Sequence, residues 1–134
     1  MGREEFLRDL EIAKERYPFL EYDYREGKRY PYKITDDFEV LDEEGNHWGT
    51  FRSSIYFHHL YPKEFPLLQD QSKAFPWEID WHISPRDGDC CVCGVIELEE
   101  KAKSGISILQ FIDEYVLPFY ANQLHKKHFG YYKN

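Results

Sequence analysis

No apolar run in this 134-residue chain approaches the roughly 20 residues that a bilayer-spanning helix needs, so no membrane span is expected. Basic charge is also short. Seventeen Lys and Arg face 25 Asp and Glu, a net charge of −8, and no basic stripe is present to track phosphates, which argues against a nucleic-acid partner. Cysteine is scarce and confined to Cys90, Cys91 and Cys93. An odd count with two adjacent members does not make a disulfide framework, and the expected compartment is a reducing cytoplasm. The N-terminal stretch carries charge from Arg3 onward instead of the apolar core of a leader peptide. Its Met-Gly start is not followed by the Ser or Thr that a myristoylation signal requires. There is no internal repeat, no low-complexity tract and no length for two cores, so one domain over 1–134 is expected.

Aromatic residues are what the chain has in quantity, with eleven Tyr and ten Phe, and the 42% apolar content suffices for a packed interior. Phe6, Leu10, Ala13 and Tyr17 recur at helical spacing, which predicts an amphipathic helix over Arg3–Arg16 ended by Pro18. The period then changes to two. Leu20, Tyr22 and Tyr24 form one alternating set, Ile34, Phe38 and Val40 a second, and Phe51, Ser53, Ile55 and Phe57 a third. Turn residues at Glu26–Lys28 and Asp42–Asn46 separate them, which predicts an antiparallel meander. Pro62 and Pro66 make His58–Leu68 an extended loop, in which Tyr61–Pro66 is expected to turn the chain at the meander's end, with Leu67-Leu68 available for a short fourth strand. Val95–Lys103 is helix-compatible, and Ser107–His128 predicts a longer helix with Ser107 as cap, Gly130 as stop and Pro118 as a kink or split. The sum is an α+β domain, helices at both ends of the chain packed on one sheet of about four strands.

The segment Pro76–Gly94 concentrates the chemistry, with all three cysteines, Trp77, Trp81 and His82. Trp77, Ile79 and Trp81 alternate with Glu78, Asp80 and His82, the pattern of a half-buried strand, before Pro85 and Asp87-Gly88 break it. A thiol just past such a turn is held firmly yet reachable. Spacing alone leaves three readings open: a nucleophilic or carrier cysteine, a zinc site using Cys90 and Cys93 with His58, His59 or His82, and small buried core residues. Zinc lacks a second Cys pair, and Asp87 and Asp89 disfavour a thiolate nearby.

The order of elements, with Tyr61-Pro62-Lys63-Glu64-Phe65-Pro66 and then His82 followed by Gly88-Asp89-Cys90-Cys91, resembles the ubiquitin-conjugating (E2) fold, and in particular the E2-like proteins of bacterial antiphage defence operons. In that family a His-Pro-Asn tripeptide precedes a Gly-x-x-Cys element that carries a thioester. The resemblance therefore implies Cys91 as the active thiol and His82 as the first residue of the tripeptide, with Ile83-Ser84 in place of Pro-Asn. It implies no cofactor and no resident metal. It also implies an acyl donor protein whose C-terminus is carried on the cysteine: a cGAS-like nucleotidyltransferase (CD-NTase) in CBASS operons, or a ubiquitin-like protein, with a separate E1-like partner where one activates it. A non-catalytic E2- or RWD-like binding module is the alternative from a different class of function.

Overall fold

The computed structural model describes residues 2–133; Met1 and Asn134, the two ends of the expected 1–134 domain, lie outside the described residues. Helix α1 (Gly2–Arg16) buries the three residues its spacing aligned, Phe6, Leu10 and Ala13. The Tyr17 N–H still reaches the Ala13 carbonyl at 2.8 Å, and Pro18, which has no N–H to continue the series, closes the helix.

Strands β1 (Glu21–Tyr24), β2 (Tyr32–Leu41), β3 (His47–Phe57) and β4 (Leu67–Asp70) pair in chain order, all antiparallel. The register sets Ile34 opposite Ile55 and Phe38 opposite Phe51, so the apolar sets of β2 and β3 meet on one face. The other face is polar. There Arg52 reaches across to Glu21 at 2.6 Å and to Asp37 at 3.3 Å. Only one face of the sheet needs covering, and the helices cover it. From α1, the Phe6 ring lies 4.5 Å from Tyr32, 5.2 Å from Tyr61 and 5.3 Å from Phe57, centroid to centroid. From the C-terminal end, Tyr120 stacks on Phe51 at 4.6 Å.

Two expectations about the sheet are corrected. It has five strands, the fifth being β5 (Asp89–Cys90), whose register puts Cys90 opposite Leu68 and Asp89 opposite Gln69 of β4. Two residues are too few to display a period, so this strand exists only because the edge of β4 offers it hydrogen-bonding groups. The proline loop does not end the meander; it joins β3 to β4. Tyr61 gives that loop its shape, donating its phenol to Asp9 of α1 and accepting the Ile108 N–H at 3.1 Å.

Helix α2 (Val95–Ser104) is largely exposed, and the long C-terminal helix follows as α3 (Ile108–Phe111), a π turn (Ile112–Val116) and α4 (Leu117–Phe129). Ser107 and Gln110 form a reciprocal capping box at its start. Pro118 is accommodated by the π turn just before it, where the Leu117 N–H reaches back five residues to Ile112. Proline then occupies the first turn of α4, where an N–H is not needed. Gly130 adopts φ 84°, and its N–H caps the Lys126 carbonyl at 2.7 Å. Among the described residues no helix is long and apolar enough to cross a membrane.

Candidate functional site

The segment 76–94 does not enter as a strand. Ile79–Trp81 is a single 3-10 turn, and Ile79 is 82% exposed. The Glu78 carbonyl accepts N–H groups from Trp81 at 2.9 Å and Ile83 at 3.3 Å, so the backbone bonds to itself. What looked like alternation is the spacing of two anchored indoles. Trp77 donates its Nε1–H to Asp70 at 2.9 Å, while Trp81 stacks on Phe75 at 5.8 Å beneath the Lys126 ammonium.

Asp70 is the base on which the segment rests. Fully buried at the end of β4, its carboxylate accepts from the Ser72 N–H and hydroxyl, the Lys73 N–H, the Trp77 indole and the Tyr120 phenol at 2.7–3.1 Å. Tyr120 also lies 2.6 Å from the Ser53 hydroxyl. Burial first, and the negative charge near it, push the Tyr120 phenol well above its ordinary range, so it stays a donor. The Asp70 N–H in turn holds the Gly88 carbonyl at 2.9 Å. Gly88 has φ 81°, and a Cβ there would come within 2.7 Å of the Trp77 ring and 2.9 Å of the Asp70 carbonyl, so the turn requires glycine.

That turn delivers the cysteines to three different settings. Cys90, in β5, is half-buried with its thiol directed at the Gly88 carbonyl at 3.4 Å; burial, then the Asp70 carboxylate, push its pKa far up. Cys93 packs against the core, and burial together with Glu97 pushes its thiol up to about 11. Cys91 alone is exposed and does not pack against the core. Its N–H bonds the His82 carbonyl at 2.9 Å, immediately beside the bridge between Ile83 and Cys90. The strict alternation that would pair Cys91 with Cys93 stops at Cys90, where β5 ends.

His82 and Cys91 are therefore brought together, and the link between them runs through the main chain. His82 takes a left-handed conformation, φ 56°, as the residue that ends the 3-10 turn. Its exposed ring lies 5.3 Å from that of Tyr132. His82, Cys91 and Cys93 form one wall of a groove of about 420 Å³. The opposite wall is the C-terminal helix, with Tyr115, Phe119 and Asn122. Tyr115 donates its phenol to Glu97 of α2 at 2.7 Å and is pushed above its usual range by burial and that carboxylate. Gln123, wholly buried, gives its Nε2–H to the Trp81 carbonyl at 2.6 Å and accepts the Tyr132 hydroxyl at 2.9 Å.

The spacing of Ile108, Phe111, Ile112, Tyr115, Val116 and Phe119 predicts an apolar stripe, and all six are buried, but nothing in that stripe marks Tyr115 and Phe119 as lining a groove, and sequence reasoning passed over Asn122, Gln123 and Tyr132. One signal was present: an Asn-Gln pair inside an apolar helix, where asparagine is a poor choice. Among the described residues no three His, Cys, Asp or Glu side chains converge so as to hold a metal ion. No protein-family model matches the sequence, no curated protein matches it, and no solved structure matches the fold.

Proposed function

We propose that this chain is an E2-like conjugating enzyme that carries a protein C-terminus as a thioester on Cys91 and passes it to an acceptor amine. The observation that carries the reading is the separate setting of Cys91. It is exposed at the edge of a groove, on a segment braced by Asp70 and Gly88, while its two neighbours have thiols pushed up by burial. Element order adds support: an N-terminal helix, an antiparallel meander, then the thiol in coil directly after the last strand, and C-terminal helices.

In the proposed reaction the Cys91 sulfur attacks the carbonyl carbon of an activated C-terminus. A carbon–sulfur bond forms, and the thiol that held the activated C-terminus leaves with a proton. An acceptor amine then attacks the same carbon, the bond to Cys91 breaks, and the sulfur is reprotonated. The His82 carbonyl anchors the Cys91 N–H, and the His82 ring stands at the groove as the proton carrier. The acyl donor is the C-terminus of a cGAS-like nucleotidyltransferase in a cytoplasmic antiphage system, delivered by an E1-like protein where one is required.

A non-reducing gel of the chain with a candidate donor, supplied with its C-terminus activated as a thioester, tests the reading. A thiol-sensitive adduct should form, vanish in Cys91→Ala and persist in Cys90→Ala and Cys93→Ala. An adduct that survives Cys91→Ala overturns the assignment. Adduct formation with a ubiquitin-like protein and not with the nucleotidyltransferase would keep the carrier and replace the donor.

A further inference from the structure

Acyl transfer at Cys91 places a full negative charge on the former carbonyl oxygen in each tetrahedral intermediate, and that oxygen needs a fixed donor. The residues after His82 supply none. Ile83 is apolar and 1% exposed, and the Ser84 hydroxyl faces its own turn, accepting the Arg86 N–H at 3.3 Å. Across the groove, three of the polar side chains on the far wall are already committed. Gln123 is bonded at both its amide nitrogen and its oxygen, Tyr132 donates to Gln123 and lies 3.2 Å from the Asp80 carbonyl, and Tyr115 donates to Glu97.

Asn122 is not committed. Its side chain lines the groove, is half-buried, and has no hydrogen-bond partner among the described residues. Its amide is not among the fully buried unpaired atoms of the described residues, Tyr22 Oη and Arg25 Nε, so it keeps access to solvent at the junction of this groove and a neighbouring hollow lined by Trp48 and His125. Its position is rigid. Tyr120, Gln123 and Leu124 beside it are buried, and the Gln123–Trp81 bond ties this turn of α4 to the residue preceding His82. Lys126 and Tyr132 reach the neighbouring Asp80 carbonyl, so these contacts together set the separation of the two walls.

We propose that Asn122 is the oxyanion donor of this site, presenting its Nδ2–H to the carbonyl oxygen of the group on Cys91. The inference rests on the carrier reading. As the nucleophile bonds to the carbonyl carbon, the carbonyl π electrons move onto the oxygen, whose negative charge the amide N–H stabilises; they re-form the carbonyl as a thiolate leaves, that of the incoming thioester when Cys91 is acylated and that of Cys91 when the amine is acylated, and no redox partner is needed.

The experiment uses the whole chain and a small probe, the 2-mercaptoethanesulfonate thioester of N-acetylglycine, with free lysine as acceptor, followed by intact-protein mass spectrometry. Wild type should be acylated on Cys91 and discharged by lysine. Asn122→Ala should slow both steps by about 100-fold to 1000-fold, the range for loss of one oxyanion donor, at an unchanged melting temperature. Asn122→Asp keeps the shape while adding a charge that repels the oxyanion, and should be slower still; it is the deciding variant if the alanine protein does not fold. Rates within about twofold of wild type in both variants overturn the inference and leave the carrier reading standing. A wild type that takes no acyl group on Cys91 overturns both.

Discussion

Removing the Asp70 carboxylate is the sharpest test of how the site is held. In Asp70→Ala five hydrogen bonds to a charged acceptor disappear at once. The Ser72 and Lys73 groups lie at the surface and can turn to water, so their loss is cheap. The expensive partners are Tyr120, fully buried, and Trp77, half-buried, which span 50 and 7 residues of sequence to reach Asp70. Bonds to a charged group contribute about 1.5–3 kcal/mol each, and two of them give a destabilisation of roughly 3–6 kcal/mol. For a chain of this size that corresponds to a fall in melting temperature of about 10–20 °C. Tyr120→Phe removes only one of these bonds and strips the Ser53 hydroxyl of its phenol partner, for about 2–4 kcal/mol. The double variant should cost less than the sum, because the shared bond is lost once. Thermal melts by circular dichroism supply all three values. A melting temperature for Asp70→Ala within about 3 °C of wild type would show that the network does not brace the segment. In the same variant β5 should fray from β4, and faster alkylation of Cys90 would report it.

Three further outcomes are expected. Gly88→Ala forces a Cβ against the Trp77 ring and the Asp70 carbonyl at positive φ, and should destabilise by about 2–3 kcal/mol; a neutral melt would refute the need for glycine. Limiting iodoacetamide at pH 8 should label Cys91 first by peptide mapping, because Cys90 is half-buried with its thiol pushed far up by that burial, and Cys93, pushed up to about 11, is thiolate in only about one part in a thousand; Cys90 labelling first would refute the assignment. His58 is buried, its Nδ1 accepts the Leu60 N–H at 3.0 Å, and burial, with His59 beside it, lowers its pKa below the ordinary 6.5. The unfolded chain therefore binds this proton more readily, so stability present above pH 6.5 is lost as pH falls through the lowered folded pKa. Melts between pH 8 and 5 should show that fall, and His58→Gln should flatten it.

Much of the fold follows from rules that act over a few neighbouring residues. The helical spacing of Phe6, Leu10 and Ala13, the parity of Ile34, Phe38 and Val40, the Asp42–Asn46 turn, the Ser107 cap and the Gly130 stop all lie within the reach of local backbone and burial preferences, and each is found where its spacing implied. The Trp77–Trp81 alternation misled because each indole answers to a distant partner, Asp70 for one and Phe75 with Lys126 for the other. Side chains anchored from elsewhere need not share a strand.

The candidate site divides along the same line. Local sequence was enough to mark the Cys90–Cys93 cluster after a glycine turn and to put His82 near it. Which thiol is free was decided by tertiary structure. Pairing with the edge of β4 draws Cys90 inward, and the strand's end at that residue leaves Cys91 exposed. The far wall of the groove belongs to a helix distant in the chain, and the bond from Gln123 to the Trp81 carbonyl, across 42 residues, helps hold it in place together with Lys126 and Tyr132 at the Asp80 carbonyl. No local pattern specifies a contact across that distance, because its energy comes from burying Gln123 and aligning two elements that only the folded core brings together.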